Sequence, residues 1–190
     1  MPDVVALGAA GALGAVLLLW AIGATRRLRA LAGRLRRAFG SAERLFAQRE
    51  RRAIEIVRIA TAAMKHERET LSAVRLAVRA HRAARTVASR RPGEPGTLAA
   101  MVDANAALQA AIARLLALTE AYPELKQDAR VAQAGAALAD LDAQMVAARQ
   151  SYNEAAAAHN DALRRWPARS IALALNMHAA GLLPEERAKA

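Results

Sequence analysis

The residues best suited to chemistry fall in one short stretch. Tyr152-Asn153-Glu154-Ala155 is echoed seven residues later by His159-Asn160-Asp161-Ala162. A spacing of seven keeps both members of a pair on one helix face. Tyr152 and His159 therefore share a seam, with Asn153 and Asn160 beside it. A carboxamide offers one carbonyl acceptor and two N–H donors. Two of them in line with a phenol and an imidazole make either a polar groove that grips a partner helix or peptide, or a buried polar ladder that holds helix register. Glu154, Asp161, Glu185 and Glu186 read as a solvated face.

No other constellation approaches a reaction. His66-Glu67 supplies one imidazole and one carboxylate, whereas zinc takes three or four convergent ligands; the pair reads as a turn or surface feature. His81 and His159 both fall near seams, where an antiparallel arrangement could bring them together. The glycine spacing of a phosphate loop and the strained turn of a nucleophile elbow are missing. Cysteine is absent, which excludes disulfide frameworks and thiolate metal sites. The expectation is a protein that is not an enzyme and has no catalytic residue, no cofactor and no metal.

These residues sit on a chain that reads as helix almost throughout after residue 25, with no alternating strand pattern. From Leu28, steps of four and three pass through Ala32, Leu35, Phe39, Ala42, Phe46, Arg49, Ala53, Ile56, Ala60 and Ala63, with Arg49 the one polar member. A turn is expected between Met64 and Thr70. A second helix follows from about Glu67 to Arg90, its buried side marked by Leu71, Val74, Ala77, Val78, Ala84 and Val87. Arg91-Pro-Gly-Glu-Pro-Gly96 is a loop, after which Thr97 offers an N-cap. The third helix carries Leu98, Met101, Asn105, Leu108, Ile112, Leu115 and Thr119 and stops at Tyr122-Pro123. Pro123 can open the next helix. The fourth carries Val131, Ala134, Leu138, Leu141, Met145, Ala148, Tyr152, Ala155, His159, Ala162 and Trp166, and Pro167 ends it. A short apolar helix, roughly Ser170 to Ala180, closes at Gly181 and Pro184. The fold class is all-α: an N-terminal transmembrane helix followed by an elongated antiparallel up-and-down four-helix bundle. Its expected divisions are an anchor at 1–25, the bundle at 26–166, and a short helix and tail at 167–190.

The anchor rests on Val4 to Ala24, 21 uncharged and mostly apolar positions. As a helix they reach roughly 32 Å, against a hydrocarbon core of roughly 30 Å. Trp20 sits where an indole suits the interface. Gly11 and Ala15, with Gly8 and Gly14 nearby, make a small-residue face through which two such helices could approach, hence a possible homo-oligomer. Arg26, Arg27, Arg29, Arg34, Arg36 and Arg37 follow directly. They resist translocation, which keeps the bundle cytoplasmic and the N-terminus outside. A cleaved signal peptide, leaving a secreted or periplasmic bundle, is the alternative; the missing basic n-region and the long apolar run argue against it.

The net charge of +11 is uneven. Residues 26–91 carry 19 Lys and Arg against 5 Asp and Glu, a net +14, while residues 92–190 carry 9 against 11. A basic half beside a membrane attracts anionic headgroups. Nucleic acid is the competing partner, but the sequence holds no nucleic-acid-binding motif and few aromatic residues for stacking bases.

Two C-terminal blocks carry a resemblance. Tyr122-Pro123-Glu-Leu-Lys126, then Arg149-Gln-Ser-Tyr152-Asn153, Asn160 and Trp166-Pro167, resemble the bacterial LemA family, and residues 51–57 and 65–71 look like its N-terminal block. This chain is similar to a divergent member. It has Glu55 where the family usually has proline, Leu141-Asp142-Ala143 where an acidic-asparagine pair is usual, and His159 for tyrosine. The resemblance implies a single-pass helical protein of the bacterial inner membrane with no established catalytic activity, and an envelope or membrane protein as partner. It marks Tyr122, Pro123, Tyr152, Asn153, His159, Asn160, Trp166 and Pro167 as family motif or partner surface.

Overall fold

A computed structural model of the chain describes residues 2–166 and 168–184, with side chains from Gly11 onward. Pro167, Glu185 and Glu186 lie outside the described residues, as does the side-chain environment at position 8. Six helices follow in order: α1 (Pro2–Ala63), α2 (Arg68–Arg90), α3 (Pro95–Thr119), α4 (Pro123–Lys126), α5 (Ala129–Arg164) and α6 (Ala168–Ala174). No strand occurs among the described residues.

Helix α1 is unbroken over 62 residues, roughly 93 Å at the helical rise. It passes through Glu55, where a proline would have removed a backbone donor and pushed against the preceding turn. Its apolar stretch stands clear of the bundle where side chains are described: Leu13, Val16, Leu17, Leu18 and Leu19 are 56–69% exposed. This stretch is long and apolar enough to cross a membrane. Helix α3 meets the same criterion of length and composition, but it buries Leu98, Met101, Leu108, Ile112 and Leu115 and is a bundle helix.

The second half of α1 is the central pillar. It packs along α5 and α2, and α2 packs along α3. Phe39 meets Tyr152 and Arg49 meets Asp142, so numbers rise on one helix as they fall on the other, and the pair is antiparallel. The buried stripe from Leu28 to Ala60 falls on the heptad positions, and Met64 plugs its end, fully buried. A distal core joins α1, α2, α3, α4 and α5 around Ala53, Ile56, Val74, Leu108 and Leu141. A second core surrounds Phe39, Phe46, Met101, Met145 and Tyr152. A small third core sets Leu28 against Ala162 and Ala172. Each fully buried Leu, Ile, Val, Met or Phe contributes about 1.5–3 kcal/mol. The alanines between them let the helix axes approach.

Several local expectations are corrected. On α2, Val87 is 50% exposed while His81 and Ala88 are buried; the buried positions 71, 74, 78, 81 and 88 keep to a heptad spacing, and Val87 falls one position off it. Helix α3 begins at Pro95 with Glu94 as its N-cap, and Thr97 instead bonds back to the Glu94 carbonyl. Pro123 opens only the four-residue α4; α5 restarts behind Asp128, whose carboxylate accepts the Arg130 amide. On α5 the stripe shifts from Ala155 to Ala156, and Trp166 is 83% exposed. The last helix among the described residues is α6, not Ser170 to Ala180. Asn176 ends that region at φ 52, a left-handed conformation that asparagine tolerates. Residues 177–184 beyond it have no helical or strand assignment.

Candidate functional site

The tyrosine–asparagine and histidine–asparagine pairs grip a peptide, and the peptide is the chain's own C-terminal segment. Asn160 donates its amide to the Ala180 carbonyl at 2.9 Å and accepts the Ala180 N–H at 2.7 Å. Asn153 does the same for Leu183, at 2.8 Å and 2.9 Å. Each carboxamide thus pairs with both backbone groups of one residue, as a neighbouring strand would. Tyr152 donates its hydroxyl to the Gly181 carbonyl at 2.9 Å. His159 Nε2 lies 3.2 Å from the His178 carbonyl, which assigns that nitrogen the proton. Its Nδ1 is buried without a partner among the described residues.

The spacing has a simple geometric cause. Seven helical residues advance about 10.5 Å, and three extended residues advance about 10 Å. Asparagines seven apart on α5 therefore meet segment residues three apart, Ala180 and Leu183. The two directions are opposed, because the chain reverses around α6. From the other side, the Gly181 N–H donates to the Gly93 carbonyl at 2.8 Å. Gly93 has φ +94, and a Cβ there would come within 3.1 Å of the Ala180 Cβ and of Leu35 Cδ2. A Cβ on Gly181 would lie 3.0 Å from the Pro95 Cα. Both glycines let two backbones approach. Ala180 and Leu183 are buried against α1 and α3 residues. Burial pushes the Tyr152 phenol up to about 12, so it stays a neutral donor.

The structure unites Tyr152, Asn153, His159 and Asn160 and leaves the remaining candidates outside this cluster. Tyr122 packs half-buried on the distal core, and Pro123 is an exposed first residue of α4. Trp166 faces outward. His66 is exposed in the α1–α2 turn. His81 and His159 do not meet: His81 turns to Glu50 on α1, while His159 turns to the C-terminal segment. Arg26, Arg27, Arg29, Arg34, Arg36 and Arg37 are all exposed.

A second polar cluster sits inside the bundle. Glu50 is 1% exposed. It accepts from His81 Nδ1 at 2.9 Å, Arg85 Nε at 2.9 Å and Arg82 Nε at 3.2 Å. Burial alone would raise its pKa, but the three donors prevail and hold the carboxyl down to about 2. Arg85 also reaches Glu43 at 2.9 Å. Beside this cluster, buried Arg49 pairs with Asp142 and donates to Asn105 at 2.8 Å. Sequence reading marked Arg49 and His81 as polar residues on apolar seams. It missed Glu50, whose signal was a carboxylate one position off the α1 seam with a basic helix to follow. A carboxylate held this far down is a poor general base, and all of its donors are basic side chains of the fold. Among the described residues no group of His, Asp and Glu is placed to hold a metal.

No curated protein matches this sequence. The sequence pattern of the LemA family matches residues 40–189, a span that takes in α5, the clamped segment and all four side chains that hold it, and the protein belongs to the LemA family.

Proposed function

We propose that this protein is a single-pass, membrane-anchored helical scaffold of the bacterial inner membrane, with its N-terminus outside, its bundle in the cytoplasm, and association rather than catalysis as its role. The observation that carries this reading is the continuity of α1. One helix runs from an isolated apolar stretch, through the six exposed arginines, into the centre of the bundle. In lipid, such an exposed stretch satisfies its backbone internally and its side chains in the acyl chains. In water it would leave a large apolar surface uncovered. The arginines favour the cytoplasmic side and anionic headgroups.

A non-catalytic role is supported by how the titratable groups are used. Tyr152 and His159 are buried and engaged with backbone carbonyls. Asp161, two positions past His159, is exposed and turned about 200° around the helix. Glu50 is held by three basic donors. The partner is an envelope or membrane protein that meets the exposed surface of the distal bundle.

The test is extraction and topology together. Carbonate-washed membranes should retain the chain, a fluorescent protein at the C-terminus should fluoresce, and a periplasmic phosphatase fused there should be inactive. Intact protein released by carbonate, or a mature chain starting near Thr25, would overturn the reading. Proximity labelling from the C-terminus would identify the neighbours.

A further inference from the structure

The far end of α5 returns to the level at which α1 leaves its apolar stretch. Trp20 and Arg27 on α1 and Arg165 and Trp166 beyond α5 line one cleft of about 390 Å³. Because both indoles border the same cleft, Trp166 stands at the height of Trp20, near the end of the apolar run. Trp166 is 83% exposed, and Leu173 on α6 is 72% exposed. Leu175, just after α6, is 40% exposed. Other exposed apolar residues of the bundle, such as Leu76 and Val146, lie far apart in sequence and on separate helices; these three fall within ten residues. Ala172, next to Leu173 and about 100° around α6 from it, is buried against α1, so the short helix is held to the bundle while Leu173 is left uncovered.

The charged residues that line the cleft, Arg27 and Arg165, have one sign, and the nearest acidic residue on α5 is Asp161. From Ala162 to Pro184 the chain has no Asp or Glu and three arginines, Arg164, Arg165 and Arg169. On the facing part of α1, six arginines precede the first acidic residue, Glu43. Among the described residues, neither Arg27 nor Arg165 has an ion-pair partner. Amphipathic aromatic residues, leucines and unpaired arginines at the exit of an apolar helix are the composition that binds a lipid interface.

We propose that Trp166 and α6 form a second, interfacial membrane contact beside the anchor, and that the cleft between Trp20 and Trp166 seats the phosphate of an anionic phospholipid against Arg27 and Arg165. This rests on the reading of α1 as a membrane anchor. It adds that the bundle is held at two points, so that its foot lies on the bilayer and cannot swivel freely about α1. Guanidinium groups suit phosphate through paired hydrogen bonds, and the indoles suit the glycerol level.

The chain's two tryptophans separate the two ideas. Full-length protein is placed in nanodiscs of phosphatidylcholine and phosphatidylglycerol, as Trp166→Phe to leave Trp20 and as Trp20→Phe to leave Trp166. Both indoles should be quenched by lipids brominated on the acyl chains and shielded from aqueous iodide. If Trp20 is quenched while Trp166 stays open to iodide and blind to bromine, the anchor stands and the second contact is overturned. If neither is quenched by brominated lipid, the anchor reading fails and this one with it. Headgroup choice is read in the Trp20→Phe protein by putting the bromine on phosphatidylglycerol alone. Arg27→Gln with Arg165→Gln should lower that preferential quenching at least about fivefold, the effect of one near-surface arginine. Unchanged preference would overturn the headgroup site.

Discussion

Asn160→Ala tests the clamp where its geometry is most explicit. The substitution removes two hydrogen bonds, to the N–H and to the carbonyl of Ala180. A net hydrogen bond contributes about 1 kcal/mol, and a buried group left unpaired costs about 1–3 kcal/mol. The segment has an escape, however. If it peels from α5, the Ala180 backbone regains water, so the loss cannot exceed the docking free energy of residues 177–184. That energy includes burial of Leu183, about 2 kcal/mol, and the bonds to Asn153, Tyr152 and Gly93. The expected effect is therefore local: about 2 kcal/mol off the protection of the segment, with the bundle's urea midpoint changed little. Native-state hydrogen exchange reads it directly, since the Ala180, Gly181 and Leu183 amides all donate to groups outside the segment. Their exchange should accelerate together by about 30-fold, while amides in the middle of α1 stay protected. Asn160→Asp keeps the acceptor but sets a carboxylate against the Ala180 carbonyl, and should accelerate exchange at least as much. Unchanged exchange at these amides in both variants would refute the reasoning, as would loss of protection spread evenly over α1 and α5.

Further outcomes follow from the buried polar groups and the close backbone approach. The Glu50 carboxyl, held from 4.5 down to about 2, stabilises the fold by at most about 3 kcal/mol. That stability is complete above about pH 5 and lost as pH falls toward 2; denaturant midpoints across this range should fall less steeply in Glu50→Gln, and identical slopes would contradict the network. Arg49 and Asp142 should be asymmetric, because Arg49 is 2% exposed and Asp142 is 56% exposed. Asp142→Ala strands a buried guanidinium and should cost about 3 kcal/mol, whereas Arg49→Met frees a carboxylate into water and should cost under about 1 kcal/mol; equal costs by urea unfolding would count against the pair. Gly93→Ala should cost at least about 1–2 kcal/mol from its left-handed φ and loosen the clamped segment in hydrogen exchange. Gly96→Ala, in open space within α3, should be neutral or mildly stabilising, and the same cost at both glycines would remove the close-approach argument.

The extent of helix, the seam of α1 and the buried face of α3 were legible in the sequence because they depend on local periodicity. Leu28, Leu35, Phe39, Phe46, Ile56 and Ala60 repeat at the spacing that keeps one side of a helix facing its neighbours, and burying that side is the dominant favourable term in folding. The apolar run and the arginines behind it were equally plain, since they too are contiguous. Resemblance to the LemA family pointed to Tyr152, Asn153 and Asn160 without saying what they touch. Contacts distant in sequence decided the rest. Glu50 and His81 are 31 residues apart, and no local pattern states that one will bond to the other. The peptide that the asparagines grip was hidden for the same reason. Extended backbone at Ala180 and Leu183 carries no periodic signal of its own, and it becomes specific only where a heptad of helix and three residues of extended chain happen to advance the same distance. Sequence alone determined which face of α5 is polar, because side chains project at fixed angles from a helix. Tertiary structure decided what that face holds, because a hydrogen bond needs both partners in place and the fold brings the second one there.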